Sequence, residues 1–243
     1  AGTAATSAKA IKTIYPGSAD GIYWINIPGV GPTQTYCLMN SIYDGGGWML
    51  ALKAAQGTTF NYDANYWTTA NTLNPTDVTR NNGDAKYDVM NTYAAKDMMA
   101  LFPDIPNVSA ESGSIDGLTN WSWLQNDFHN SGATTTLINK FSGAQTTFYT
   151  STNGSMTFNG YGPTAFSSQG GFTFYGINYN TNSSAKVRWG FGWNNETDQG
   201  SNDVSGGIGM GSSYGQYSAG DKINCCPIYS GINRSARVEL YVR

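Results

Sequence analysis

The chain has 243 residues, of which 12% are charged, and a formal net charge of -3 with no basic patch. That length can bury one large core, and the charge argues against nucleic acid or an acidic membrane surface as a partner. No apolar run approaches the roughly 20 residues that cross a bilayer as a helix, so membrane insertion is not expected.

Aromatic residues make up 14% of the chain, with 7 Trp and 16 Tyr beside 30 Gly. This mixture favours short strands, tight turns and irregular loops over a helical bundle. The cysteines are Cys37, Cys225 and Cys226. An odd count with one adjacent pair is not a disulfide framework, so free thiols are expected.

Residues 1–13 are small and polar and read as a linker or the end of a stalk, with the folded domain spanning 14–243. The chain has no initiator Met and no signal-peptide pattern. The numbering is therefore expected to start inside a longer product or after processing. Strand patterns begin at Gly21, with GIYWINI, then TQTYCLM, then GGGWMLALKA. Period two puts Thr35, Cys37 and Met39 on one face. The glycines at 45–47 predict a tight hairpin between the second and third runs.

Residues 57–93 are polar and irregular around the aromatic cluster FNYDANYW. Residues 91–104 predict a short helix that Pro103 ends. Residues 120–130 and 132–141 each predict another. Strand signals return at 145–151, 155–160, 171–179 and 185–193. In the last of these, Val187, Trp189, Phe191 and Trp193 share a face. The chain closes on SARVELYVR, whose alternation predicts a half-buried terminal strand. Residues 194–231 show no convincing element, and a segment that long inside a domain points to function or a bound metal.

The densest group of oxygen donors lies in that segment. It offers Asn194, Asn195, Glu196, Asp198, Asn202 and Asp203, then a glycine run, then Asp221 and Asn224. Calcium needs about six to eight oxygens, and carboxylates, amides and glycine-freed carbonyls supply that chemistry. The spacing is not that of an EF-hand, and by composition alone the segment also reads as a solvated turn region.

Catalytic chemistry finds less footing. His129 is the only histidine. One His in a polar segment supports neither a triad nor a zinc site. Carboxylate pairs such as Asp84/Asp88 and Glu111/Asp116 are expected by chance. The glycine strings fit no nucleotide-binding pattern. Trp24, Trp48 and Trp189 read as core. Tyr214, Tyr217 and Tyr229 lie in the late loops and are the candidates to face a ligand. The chain is read as a binding module and not an enzyme.

The motifs in order resemble the fibrinogen-like and intelectin-like group. The opening carries Asp20-Gly21, then Tyr36-Cys37-Leu38-Met39, then the Gly45-Gly46-Gly47-Trp48 hairpin. Ala95-Lys96-Asp97 matches a segment of both branches, and the end is most similar to intelectins. There, Trp193-Asn194-Asn195-Glu196 precedes SGGIGM, Gly220-Asp221, Tyr229-Ser230-Gly231 and VELYVR.

The resemblance implies an α+β fold: a twisted antiparallel sheet, few short helices and long calcium-stabilised loops. It implies a calcium ion held by Asn195, Glu196, Asn202, Asp203 and Asp221. In intelectins such an ion also coordinates two adjacent hydroxyls of an exocyclic glycan diol. Tyr229 falls on one wall of the aromatic box around that sugar. The function implied is calcium-dependent recognition of a cell-surface glycan or host surface, as in a lectin-like adhesin. The alternative is a structural virion or fibre decoration module that binds only protein.

The chain departs from the family in lacking the usual partner of Cys37. Asn195 is also one of six Asn-x-Ser/Thr sequons, with Asn107, Asn120, Asn153, Asn182 and Asn233. A glycosylated amide cannot ligate calcium, so a ligand role for Asn195 implies a bacterial or viral source. By fold-level analogy this suits the tip of a bacteriophage tail fibre or similar appendage, extracellular or on a virion surface, within a larger homo-oligomeric assembly.

Overall fold

A computed structural model describes residues 3–43, 45–103, 122–125, 134–149, 156–159, 172–181, 185–194, 204–211, 216–223 and 233–243. In chain order the elements begin with α1 (Ala8–Ile14), β1 (Gly21–Ile27), β2 (Gly31–Leu38), β3 (Trp48–Ala54), β4 (Ala85–Lys86), α2 (Asp88–Thr92) and β5 (Met98–Leu101). They continue with β6 (Ser122–Gln125), α3 (Leu137–Ser142), β7 (Thr146–Tyr149), β8 (Met156–Asn159), β9 (Phe172–Thr181) and β10 (Ala185–Asn194). β11 (Val204–Gly211), β12 (Tyr217–Ile223), β13 (Asn233–Ser235) and β14 (Val238–Val242) complete them.

Among the described residues the strands form two sheets and pair antiparallel throughout. The first runs β1-β2-β3-β14-β5-β6-β8, with β4 pairing β3; the second runs β13-β12-β11-β10-β9-β7. The described residues are mostly antiparallel sheet with few short helices.

The hairpin at Gly45–47 forms as its glycines require. All three have positive φ, at 84°, 76° and 83°. A Cβ on Gly46 would meet the Met39 carbonyl oxygen at 2.3 Å, and one on Gly47 would press into the Lys9 backbone. Helix α1 therefore packs against this turn. Ser7 caps it, with Oγ accepting from Ala10 N, and Ala8 is buried. Ala5 bridges Ile25 in parallel. Part of the segment expected as a linker thus lies on the edge of the first sheet.

Three local expectations are corrected. Met98–Leu101 is a strand, although Met, Ala and Leu favour helix. The helix stops at Thr92, and residues 98–101 pair with β14 on one side and β6 on the other. Residues 122–125 are likewise strand β6 and not helix. The glycine run at 204–211 is strand β11, inside the segment expected to lack elements. Glycine is a poor strand former, but here its lack of a side chain is used. A Cβ on Gly209 (φ +61°) would meet Arg188 and Trp67 within 2.9 Å. On the neighbouring β10, a Cβ on Gly190 would likewise meet the backbone carbonyl oxygen of Gly206.

The terminal strand β14 is not half-buried. Every residue of it is buried, and so is every residue of β3 beside it. Its alternation marks two different covered faces: one apolar, the other carrying Glu239 under the loop of residues 74–84. Trp24 is also corrected: it is 57% exposed, while Trp48 and Trp189 are in the core as expected.

Residues 57–67 lace the two sheets together. Tyr62 N donates to Met210 O, Ser218 N to Gly57 O, and Phe60 N to Ser218 Oγ. Arg188 Nε donates to Tyr62 O and its guanidinium lies 4.2 Å from the Tyr62 ring centroid. Trp67 packs edge-on between Phe60 and Phe141.

Candidate functional site

The second sheet has one end at which several connections converge. Trp193 pairs with Val204, and Val204 with Ile223. Neighbouring strands lie about 4.8 Å apart, so Trp193 and Ile223 are separated by about 10 Å across β11. Residues 195–203 join β10 to β11 at this end, and residues 224–232 join β12 to β13 there. Asn194 pairs with Phe172 at the same end.

The placement of the expected site residues follows from this topology. Asn195, Glu196, Asn202 and Asp203 lie outside the described residues, in the connection between Asn194 and Val204. Tyr229 also lies outside them, in the connection after Ile223. Asp221 is on β12, where it pairs with Gly206 and Arg234. That is two residues, or about 7 Å, in from the strand end. The backbone thus brings the two oxygen-rich connections and Asp221 to one end of the sheet.

Tyr217 lies elsewhere. Tyr217 pairs with Met210 at the opposite end of β12, four residues before Asp221, and packs against Tyr179, Val187 and Met210. Tyr214 lies outside the described residues. His129, Cys225, Cys226 and the Cys226–Pro227 bond also fall outside. Cys37 is a free thiol, fully buried, and burial pushes its pKa well above the ordinary thiol value.

By sequence, the two connections and β12 carry carboxylates (Glu196, Asp198, Asp203, Asp221), amides (Asn195, Asn202, Asn224) and backbone carbonyls. This donor set fits a hard cation such as calcium. Among the described residues no group of three or more His, Cys, Asp or Glu could hold a metal ion.

Sequence reasoning missed a second polar constellation, on the first sheet. Residues 74–84 cross its outer face and are pinned from below. Lys53 Nζ donates to Asp77 Oδ2 at 2.8 Å, Thr79 O at 2.8 Å and Asn81 Oδ1 at 2.5 Å. Arg80 Nε donates to Glu239 Oε2 at 2.7 Å, and Arg237 bridges Glu239 Oε1 and the Arg80 carbonyl. Tyr87 donates to the Asp77 carbonyl, and Tyr241 to Glu239 Oε2 at 2.8 Å. The hydrogen bond from Lys53, then that from Asn81, holds the Asp77 carboxyl well below the usual carboxylate range. The signal was present as two charged residues inside apolar strand runs, Lys53 and Glu239. A charge in such a place requires a partner.

Comparison with protein-family models and with curated proteins yields no match. Asp84, weighed above beside Asp88, accepts from Ala55 N at 2.8 Å and Thr59 Oγ1 at 2.5 Å. Its carboxylate holds a turn.

Proposed function

We propose that the chain is a fibrinogen-like or intelectin-like recognition module that binds a cell-surface glycan or host surface through calcium. The observation that carries this reading is the side-by-side placement of Trp193, Val204 and Ile223. It gathers the oxygen-rich connections 195–203 and 224–232 at one sheet end, with Asp221 close behind. Asn195, Glu196, Asn202, Asp203 and Asp221 are the proposed calcium donors, and Tyr229 the proposed aromatic wall. Tyr217 packs at the other end of its strand.

The ordered motifs add support. The three-glycine hairpin, the buried Cys37 strand and the closing strand sit together in the first sheet. The proposed setting is extracellular or on a virion surface, in a larger assembly. Within it the ion would be shared between protein oxygens and two sugar hydroxyls, so both affinity and specificity would depend on calcium. Binding to a glycan array with and without EDTA tests this. Calcium-dependent signal, restored by added calcium, is expected; binding that is indifferent to the chelator would remove calcium from the mechanism.

One observation favours the second reading, a structural module that binds only protein. Ile22 and Trp24 stand exposed on β1, and Val30 at the turn after it. Stable assembly with a fixed protein partner, without any glycan signal, would select that reading.

A further inference from the structure

Lys53 suggests a cation site of another kind, independent of the proposed calcium site. Residues 77, 79 and 81 turn alternate oxygens toward one point: the Asp77 carboxylate, the Thr79 carbonyl and the Asn81 amide oxygen. The Lys53 ammonium, fully buried, sits at that point. The cage is built to keep this shape. Asp77 Oδ1 accepts from Thr79 Oγ1 at 2.9 Å, and Asp77 Oδ2 accepts from Asn81 Nδ2 at 2.9 Å. Asn81 thus spends its donor on the carboxylate and aims its oxygen at the cation. Gly83 closes the rim: a Cβ there would stand 3.0 Å from Asn81 Oδ1 and 3.4 Å from Asp77 Oδ2.

We propose that residues 77–83 form a cation-binding loop whose cation is supplied by the chain itself, and that without the Lys53 ammonium the loop takes a hard monovalent cation. Charge and donor number set the class. The cage holds one carboxylate and two neutral oxygens, which balance a single positive charge. Three oxygens with one negative charge fall well short of the about six to eight, with several carboxylates, that calcium takes. Potassium is held by carbonyl-type oxygens elsewhere in proteins, and ammonium reproduces the natural occupant. The partly exposed side of Asp77 gives an ion a route in.

The test replaces Lys53 with Met, which keeps the apolar stem and vacates the ammonium position. Unfolding midpoints of the wild type, Lys53→Met and Lys53→Met/Asp77→Asn are measured in KCl, NH4Cl and tetramethylammonium chloride at equal ionic strength. EDTA is present throughout, so the proposed calcium site contributes nothing. The expected result is a midpoint for Lys53→Met higher by about 2–4 °C or more in potassium or ammonium than in tetramethylammonium. The wild type and the double variant should show no such difference. Equal midpoints for Lys53→Met in all three salts would overturn the proposal. If Lys53→Met is unfolded as isolated, refolding in each salt decides: recovery in potassium or ammonium alone supports the proposal, and recovery in none overturns it.

Discussion

Lys53 and Glu239 face each other in register across β3 and β14, both fully buried, and each grips a different part of the same loop. Lys53 holds Asp77 and Asn81; Glu239 holds Arg80. The two central strands of the first sheet thus carry opposite charges that fasten one surface segment with opposite polarity.

The cost of breaking a clasp depends on how deeply the charge left behind is buried. Glu239→Gln leaves Arg80 and Arg237 without their carboxylate, and Asp77→Asn leaves the fully buried Lys53 ammonium without its own, so each is expected to cost about 3–5 kcal/mol. Lys53→Met leaves only Asp77, which is partly exposed, and should cost less, roughly 1–2 kcal/mol in the absence of a replacement ion. The Asp77 pKa is lowered in the fold, so its contribution is complete above the unfolded value of about 3.9 and fades as pH falls through the lowered folded value. Urea denaturation should therefore give a wild type–Asp77→Asn gap that is constant above about pH 5 and shrinks in stronger acid.

Lys86 reports on burial through pH. It is fully buried, its Nζ donates to Thr69 O at 2.6 Å, and desolvation lowers its pKa to about 8, with Asp88 pulling the other way. Above that pH the native chain has released a proton that the unfolded chain keeps until about pH 10.4. Stability from this group therefore rises across that interval. Cys37 and the buried tyrosines, whose pKa values are raised, act in the opposite sense, but only from their unfolded values of about 8.5 to 10 upward. Between about pH 7.5 and 8.5 the wild type should gain several tenths of a kcal/mol relative to Lys86→Met. Denaturant midpoints that move in parallel for both proteins would show that Lys86 keeps its ordinary pKa.

Gly190→Ala should destabilise the second sheet. The added methyl would stand 2.1 Å from the Gly206 carbonyl oxygen, which is backbone and cannot rotate away. A loss of about 1–3 kcal/mol or more is expected from overpacking at such a site. Thermal unfolding and amide exchange of β10 and β11 would register it.

Trp24→Ala should change stability by no more than about 0.5 kcal/mol, because the side chain is largely exposed. Acrylamide should quench Trp24 while Trp48, Trp67 and Trp189, all fully buried, stay protected. A cost of several kcal/mol would place Trp24 in a packed interface instead.

Much of this architecture was legible in the sequence. The glycines at 45–47 specify a turn that only positive φ can make. The alternation Val187-Trp189 gives β10, with both side chains in the core. The misses share a cause: partners distant in sequence decide the outcome. Met98–Leu101 is a strand because β14 and β6 flank it. β11 is a strand because β10 and β12 flank it, and Arg188 and Trp67 fill the space a side chain on Gly209 would need. Trp24 belongs to the hairpin face that nothing in the described residues covers, a property of the sheet edge and not of the residue. The candidate calcium donors were legible as chemistry. Which end of the sheet the strands flanking them share was not, since it depends on the registers of β10, β11 and β12.

Calcium binding by the protein itself is the most direct test. Chelator-treated wild type and Asp221→Asn are titrated with calcium chloride by calorimetry, with metal content measured after dialysis. The account predicts at least one bound calcium per wild-type chain and markedly weaker binding to Asp221→Asn, with the fold of both intact. A wild-type chain that takes up no calcium at millimolar concentration would contradict it.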